Sequence, residues 1–232
     1  MEAGALATFD TVLANPPFSK GSWGVDSARQ DPHGRFHRGL PPTSRGDFAY
    51  ISHMLASATP GSGRVVTAVA HGALFRGGAE GRIRDALIAE NLIDAVIALP
   101  EKLYPAAGHS IALMVLDRGR EPGGPRADRT DVLFVDAAHT YAPGRQRNRL
   151  TDDGIARIAD TLAGRHEAAG FSRRVSPEEL ATNDRVLSVH RYVMPAPQAD
   201  TVDLAALQAE IEELEAEQIG RASCRERVYT KV

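Results

Sequence analysis

The stretch Asp10-Thr-Val-Leu-Ala-Asn-Pro-Pro-Phe18 joins an apolar run to a polar amide, two prolines and an aromatic ring. The first half has the composition of a β-strand, and the second half cannot continue that strand. Asn15 precedes a proline and therefore favours an extended backbone, while Pro16 and Pro17 cannot donate a backbone hydrogen bond or enter a helix interior. Because open α/β sheets bind ligands at the carboxyl ends of their strands, this rigid strand end is expected to face a ligand.

The chemistry of this strand end suits an aromatic amine. The side-chain oxygen of Asn15 and the carbonyl of Pro16 are two acceptors at a fixed angle, which could accept both hydrogens of a planar amino group. Phe18 could stack on the ring that carries the amine. Holding both hydrogens would direct the nitrogen lone pair toward an electrophile without a strong base. A rigid surface turn without a catalytic role is the alternative interpretation.

The tetrapeptide Asn15-Pro-Pro-Phe18 at the end of a strand resembles the catalytic motif of AdoMet-dependent amino-methyltransferases, and of the adenine-specific DNA enzymes above all. Protein-glutamine and RNA methyltransferases carry similar tetrapeptides. Four further blocks resemble the methylation subunit of type I restriction-modification systems, in that family's order. These blocks are Phe48–Leu55, His71–Arg84, Arg145–Leu150 and Phe171–Ser176. The resemblance covers about residues 9 to 218, and the five blocks together are far more specific than the tetrapeptide alone.

The resemblance implies a subunit of a site-specific N6-adenine DNA methyltransferase, which transfers a methyl group from S-adenosyl-L-methionine (AdoMet) to a flipped adenine. It also implies that Asn15 and Pro16 are catalytic and that Pro17 and Phe18 bind the substrate base. The implied partners are double-stranded DNA, a specificity subunit and, in the full complex, a restriction subunit. Two other functions stay open: a non-enzymatic module that binds a specificity subunit or DNA, and a fragment of a protein-glutamine or RNA methyltransferase.

Downstream of the motif, apolar runs predict an α/β fold. Strands are expected at residues 64–70, 93–99, 110–116 and 132–136, the last at a sheet edge, and helices at residues 47–58, at 79–91 and from about Thr151. Only ten residues separate the second and third of these strands, which is too few for a parallel crossover, so the two should pair antiparallel. The expected fold is a partial class I methyltransferase (Rossmann-like) sheet with one antiparallel hairpin strand.

In the resembled fold, an earlier strand and a glycine-rich turn hold the cofactor. No Gly-x-Gly element precedes Asn15, and the pairs Gly77-Gly78 and Gly123-Gly124 lack the dinucleotide-type spacing between a strand and a helix. The sequence is therefore interpreted as a fragment without the N-terminal cofactor-binding half. AdoMet remains the implied cofactor of the family, but no residue here is assigned to bind it, and the chain alone is expected to be inactive.

Three features near the motif have open roles. Residues 19–46 predict a long loop in which Trp23 and Phe36 lie among basic side chains, which suits either contact with a flipped base and its phosphates or a simple linker. His71 follows a predicted strand and is expected to be structural rather than a proton carrier. A basic triplet further on could contact a phosphate backbone or pair with the acids after it. The triplet is Arg145, Arg147 and Arg149.

The C-terminal residues predict a short coiled-coil seam. Its apolar positions are Leu204, Leu207, Ile211 and Leu214. Two heptads are too short to be stable alone, so a partner helix is expected, which the resemblance identifies as part of the specificity subunit. Residues 219–228 resemble the translation of a common sequencing adapter. The predicted division is 1–164 for the catalytic-motif half, 165–201 for an irregular linker region, 202–218 for the amphipathic helix and 219–232 for an artefactual tail.

Composition excludes several other classes of protein. The 232 residues are 43% hydrophobic and 25% charged, and the formal net charge of −3 argues against a free-standing, strongly basic DNA binder. The single cysteine excludes an internal disulfide and a cysteine-cluster metal site. No apolar run approaches the roughly 18 residues of a membrane span, and the first residues lack a signal-peptide pattern, so no membrane partner and a cytoplasmic location are expected.

Overall fold

The structure is a computed structural model that describes residues 4–103 and 110–194, together with Gln208. The strands in this part of the chain are β1 (Thr11–Ala14), β2 (Arg64–Ala70), β3 (Ile93–Ala98), β4 (Ile111–Asp117), β5 (Val132–Asp136), β6 (Tyr141–Ala142), β7 (Arg149–Leu150) and β8 (Ser172–Val175). The α-helices are α1 (Val25–Arg29), α2 (Asp47–Ala56), α3 (Gly78–Ala89), α4 (Asp152–Gly164) and α5 (Pro177–Thr182). Short 3-10 helices cover His71–Leu74, Arg118–Arg120 and Val189–Arg191.

Six of these strands form one sheet in the order β1-β2-β4-β3-β5-β8, and β6 pairs with β7 in a separate small hairpin. Strands β1, β2, β3 and β5 run in one direction, whereas β4 and β8 run in the other. The antiparallel pairing of β3 with β4 confirms the prediction made from their short connection. The mixed α/β class is confirmed too, with two reversed strands in the sheet instead of the single one predicted.

Strand β5 is an interior strand, and the prediction that it lies at a sheet edge is wrong. It pairs with β3 on one side and with β8 on the other. All five of its residues are buried, as expected for a strand that is covered on both faces of a sheet. The edge strand on this side is β8, which the sequence analysis did not predict.

Residues 165–194 belong to the folded core, so the interpretation of this segment as an irregular linker is wrong. The segment contributes β8, α5 and the 3-10 helix Val189–Arg191, and it lies within one compact unit that extends to Ala196. Its buried side chains include Phe171, Val175, Leu180, Leu187, Val189, Tyr192 and Val193. The segment was missed because four-residue and six-residue elements are too short to show a strand or helix period.

The two faces of the sheet bury separate apolar clusters. One cluster combines side chains of α2 and α3 with the 165–194 segment, and Phe48, Leu87 and Phe134 lie in it. The other includes Ile97 of β3 and Ile158 of α4. Helix α4 begins where predicted, because the hydroxyl of Thr151 accepts a hydrogen bond from the backbone N–H of Gly154 and caps its first turn. The predicted seam at residues 202–218 and the tail at 219–232 lie outside the described residues, apart from the exposed Gln208.

Candidate active site

The Asn-Pro-Pro-Phe tetrapeptide follows directly after the last residue of β1, as the sequence predicted. Strand β1 ends at Ala14, whereas its parallel neighbour β2 continues past the point where the two are paired. The motif therefore lies at the carboxyl edge of the parallel strands, where α/β proteins bind ligands. Asn15 and Pro17 are exposed, and Pro16 and Phe18 are half-buried. The arrangement leaves the Asn15 amide accessible to a ligand.

Phe18 is held by the core. Its side chain packs against the apolar cluster that includes Ile97 and Ile158, on the face of the sheet that α4 covers. Part of the ring remains accessible, so it can still offer a stacking surface. The motif thus combines an exposed amide with an anchored aromatic ring on a backbone stiffened by two prolines. Their catalytic and substrate-binding roles remain predictions.

The turn after Phe18 is tied to the start of α2 by two hydrogen bonds. The backbone N–H of Ser19 donates to Oδ1 of Asp47 at 3.0 Å. The N–H of Gly46 donates to the carbonyl of Lys20 at 2.8 Å. Ser19 has a φ of +46°, in the left-handed region that is unfavourable for a residue with a Cβ atom. A specific partner therefore stabilises an unfavourable backbone conformation next to the motif.

A buried charge network lies behind this turn. Nη2 of Arg76 lies 3.2 Å from Oδ2 of Asp47, and Nε of Arg76 lies 2.7 Å from Oε2 of Glu80. Both carboxylates are almost fully buried, with 4% exposure for Asp47 and 1% for Glu80. The hydrogen bonds to Glu80 raise the pKa of Arg76. Arg84 donates from Nη1 to the carbonyl of Arg76 at 2.9 Å and extends the network into α3.

Residues 19–46 form a packed segment that includes α1, so the interpretation of these residues as a simple linker is wrong. Nε1 of Trp23 donates to the carbonyl of Pro42 at 2.9 Å, and the Trp23 and Phe36 rings lie 5.7 Å apart. The Arg35 guanidinium lies over the Phe36 ring at 5.6 Å from its centroid. A cavity of about 410 Å³ is lined by Trp23, Arg35, Phe36 and Tyr50, among others. Aromatic and basic groups do lie together, as the sequence indicated.

His71 is held by the C-terminal segment of the domain. Its Nε2 lies 3.2 Å from the hydroxyl of Ser188, and its ring packs edge-on against Phe75. Burial lowers the pKa of His71, and the nearby His190 ring lowers it further. His190 in turn lies 3.5 Å from the carboxylate of Asp136 at the end of β5. These contacts agree with the structural role expected for His71.

The basic triplet lies on and beside the small β6–β7 hairpin. All three arginine side chains are exposed. Among residues 4–103 and 110–194, none of the ion pairs includes them, so they do not pair with the acids at the start of α4. Contact of the triplet with a phosphate backbone stays a prediction. The triplet is Arg145, Arg147 and Arg149.

Sequence reasoning missed the link between Asp47 and the motif. The sequence indicated an acidic residue at the start of a helix, which is a common and local feature. The hydrogen bond spans 28 residues of sequence, from Ser19 to Asp47. No local pattern predicts such a contact, because it depends on how the 19–46 segment folds back on α2.

AdoMet is the cofactor that the family implies. No glycine-rich turn joins a strand to a helix in the manner of a dinucleotide site within residues 4–103 and 110–194. Strand β1 pairs only with β2 in this part of the chain, and 72% of Leu13 is exposed.

The described part also contains no group of three or more metal-ligating side chains, and no helix long and apolar enough to cross a membrane.

Comparison with known families and proteins gives consistent matches. The family described as N-6 DNA Methylase matches residues 2–201. The type I restriction enzyme MjaVII methylase subunit of Methanocaldococcus jannaschii is 33% identical over 215 residues, which cover 89% of this chain and 36% of that relative. The HindI methylase subunit of Haemophilus influenzae is 33% identical over 199 residues, which cover 82% of this chain and 43% of that relative. The chain spans less than half the length of these relatives.

Solved structures agree with these matches. The type I restriction-modification methyltransferase subunit from Streptococcus thermophilus superimposes with a TM-score of 0.74 and 33% identity, covering 84% of this chain and 39% of that one. The EcoKI M protein superimposes with a TM-score of 0.61 at 19% identity, covering 95% of this chain and 50% of that one, and therefore shows a shared fold alone.

Proposed function

Because this chain belongs to the N-6 DNA methylase family, we propose that it supplies the amine-binding part of a site-specific N6-adenine DNA methyltransferase, the methylation subunit of a type I restriction-modification system. One observation carries the proposal. Asn15 is exposed at the carboxyl end of β1, and the half-buried Pro16 and Phe18 follow it. That arrangement offers two acceptors and an aromatic surface at the edge of the sheet where ligands bind.

In the proposed reaction, the adenine leaves the DNA stack and its amino group meets the end of β1. The Asn15 side-chain oxygen and the Pro16 carbonyl accept the two amino hydrogens. Phe18 stacks on the base, and Pro17 restricts the backbone between them. These contacts draw the nitrogen lone pair out of the ring system and orient it for methylation. We place the AdoMet site outside the described residues.

The proposed partners are double-stranded DNA, a specificity subunit and, in the full complex, a restriction subunit, acting in the cytoplasm. We propose that residues 202–218 contact the specificity subunit. Similarity to DNA methylase subunits over more than four-fifths of the chain favours a DNA substrate over a glutamine or RNA substrate. It also favours an enzyme subunit over a purely non-enzymatic module.

The test uses an intact methylation subunit that contains this chain and its cofactor-binding part, purified with the specificity subunit. Asn15→Ala should lower the rate of methyl transfer to adenine about 100-fold, which corresponds to roughly 3 kcal/mol of lost transition-state stabilisation. DNA binding should persist, because the amide contacts only the flipped base. Methylation by Asn15→Ala at a rate near that of the wild type would overturn the amine-holding role.

Asn183→Ala is a matched control. The Asn183 amide donates to the carbonyl of Glu179 within α5 and accepts from Arg191. Asn183→Ala removes local hydrogen bonds at the end of α5. This helix follows β8, which lies at the opposite edge of the sheet from β1. The control should therefore methylate at the wild-type rate, which would separate an effect on the reacting amine from the general cost of losing an amide.

A further inference from the structure

The carboxylate of Asp47 is buried at the first position of α2, and a buried charge is costly unless it is paired or hydrogen-bonded. Both of its oxygens have partners. Oδ1 accepts from the backbone N–H of Ser19 at 3.0 Å, and Oδ2 accepts from Nη2 of Arg76 at 3.2 Å. The first of these bonds reaches the residue immediately after Phe18. Asp47 is therefore linked directly to the backbone of the motif.

The second oxygen of Asp47, Oδ2, is held by Arg76, and residues of α3 hold Arg76 in turn. Arg76 is bound through Nε and Nη2 to both oxygens of Glu80, at 2.7 and 3.0 Å. Arg84 holds the carbonyl of Arg76, and Arg84 is itself buried. A guanidinium held at this many points has little freedom to move. Through Arg76, Asp47 is thus connected to helix α3 rather than to a surface loop.

The turn that Asp47 holds has an unfavourable backbone conformation. Ser19 has a φ of +46°, and a serine there is stabilised by a specific hydrogen bond rather than by its own preference. The N–H of Gly46 also binds the carbonyl of Lys20. Two hydrogen bonds therefore fix residues 19 and 20 to the start of α2. Because Pro16 and Pro17 leave the connecting backbone few alternatives, a movement of Ser19 must displace Asn15 or Phe18.

We infer that Asp47 is a positioning residue, which sets the orientation of the amine-binding motif through the backbone of Ser19. This inference rests on the proposed function. Asp47 contacts neither the base nor the cofactor in this scheme, and it acts only through the turn. A shift of about 1 Å in a reacting group can lower a rate by as much as 100-fold, so the tether is expected to affect turnover much more than DNA binding.

The first test needs no activity and uses the 232-residue chain. Trp23 is its only tryptophan, and it packs on Gly46, where an added Cβ would lie 2.8 Å from Cβ of Trp23. Its fluorescence therefore reports on the turn beside Asp47. In Asp47→Ala, the Trp23 emission should move to longer wavelength and acrylamide should quench it more strongly. An unchanged spectrum and unchanged quenching in a folded Asp47→Ala would overturn the inference that Asp47 holds this turn.

Asp117 provides the matched control for Asp47. It is fully buried, it accepts a backbone N–H from Gly119 at 2.8 Å, and it pairs with Arg126. It is paired in register with Arg64, the first residue of β2, at the end of β2 away from the motif. Asp117→Ala should therefore lower stability while leaving Trp23 fluorescence and turnover as in the wild type. Should Asp47→Ala fail to fold, Arg76→Gln takes its place. The same change in Trp23 emission is expected, because Asp47 then loses its ion pair with Arg76.

The second test measures kinetics in the intact subunit with its specificity subunit, well below every unfolding temperature. Asp47→Ala should lower kcat by about 10-fold to 100-fold and leave KM for DNA within about threefold. Asp47→Asn should recover part of kcat, because its amide oxygen can still accept from Ser19 while the ion pair to Arg76 is lost. An equal loss in Asp47→Asn and Asp47→Ala, or a wild-type kcat in Asp47→Ala, would overturn the inference. A wild-type subunit that fails to methylate adenine, with the Trp23 result as expected, would overturn the proposed function alone.

Discussion

The Tyr192 and Phe134 rings lie 4.4 Å apart, centroid to centroid. Phe134 is in the middle of β5, so this contact fixes the last described segment of the chain onto the sheet. The Tyr192 hydroxyl donates to the carbonyl of Val186 at 2.6 Å. Burial raises the pKa of Tyr192 to about 12, which keeps the phenol protonated and able to donate. One side chain thus joins a turn, a strand and the apolar core.

Tyr192 variants should test whether residues 165–194 are part of the core. Tyr192→Ala should lower the free energy of unfolding by about 3–5 kcal/mol, because it removes a buried ring and leaves a cavity. Tyr192→Phe should cost only about 1 kcal/mol, since it keeps the ring and loses one hydrogen bond. Urea unfolding of the 232-residue chain measures both. Tyr141→Ala, at an exposed tyrosine of the small hairpin, should change stability by no more than about 0.5 kcal/mol. Equal costs for Tyr192→Ala and Tyr141→Ala would place the segment outside the core.

The parts of the fold that the sequence predicted are those with a local cause. Two prolines end β1 whatever the rest of the chain does, and the ten residues between the predicted strands at 93–99 and 110–116 favour an antiparallel pair. Helix α4 was predicted from the acidic residues of its first turn, which suit the helix dipole, and the structure adds a cap from the Thr151 hydroxyl. Each of these features is determined within a few residues.

The features that the sequence did not predict depend on distant partners. Strand β8 forms because β5 has an open edge for Ser172–Val175, a property of β5 and not of the segment itself. Tyr192 is buried because Phe134 lies 58 residues earlier in the chain, and Asp47 matters because Ser19 folds back to it. The candidate motif was identifiable from its own four residues, whereas Asp47, the residue inferred to position it, was not.

The isolated chain should not bind AdoMet with micromolar affinity. The described residues lack a glycine-rich turn between a strand and a helix, and an AdoMet site needs backbone groups that can approach the ligand closely. Isothermal titration calorimetry of the 232-residue chain with AdoMet is the measurement, with the intact subunit as the positive control. A micromolar dissociation constant for the isolated chain would reveal a cofactor site among residues assigned no such role here.

Stability should fall as the pH drops below about 6.5, in part because of His71. Burial and the nearby His190 lower the pKa of His71 in the folded protein, so between the ordinary pKa of about 6.5 and the lower folded value the unfolded chain binds more protons. Protonation therefore favours unfolding in that window, and the cost is absent above it. Urea unfolding at a series of pH values measures the slope.

His71→Gln should make that pH dependence shallower, because the amide keeps a polar group near Ser188 without titrating. His139→Gln, at an exposed side chain, is the matched histidine control and should leave the pH profile as in the wild type. A profile for His71→Gln as steep as that of the wild type would show that other groups cause the acid sensitivity.

The proposed contact with the specificity subunit can be tested at the apolar seam. Leu207 and Ile211 are central to the heptad pattern, and a charge buried there against a partner helix would cost several kcal/mol unless paired. Leu207→Glu combined with Ile211→Glu in the intact subunit should therefore abolish co-purification with the specificity subunit. Residues 1–196 should stay folded, because they form a compact unit by themselves. Circular dichroism and thermal unfolding check that condition.

The matched control adds the same two charges on the outward face of the predicted helix. Ala205 and Ala209 occupy positions of the heptad away from the seam, beside the exposed Gln208, so Ala205→Glu with Ala209→Glu should leave co-purification intact. Loss of binding in both double variants would attribute the effect to added charge rather than to the seam. Unchanged co-purification of the Leu207 and Ile211 variant would place the partner surface elsewhere, and its global unfolding would make the seam part of the domain core.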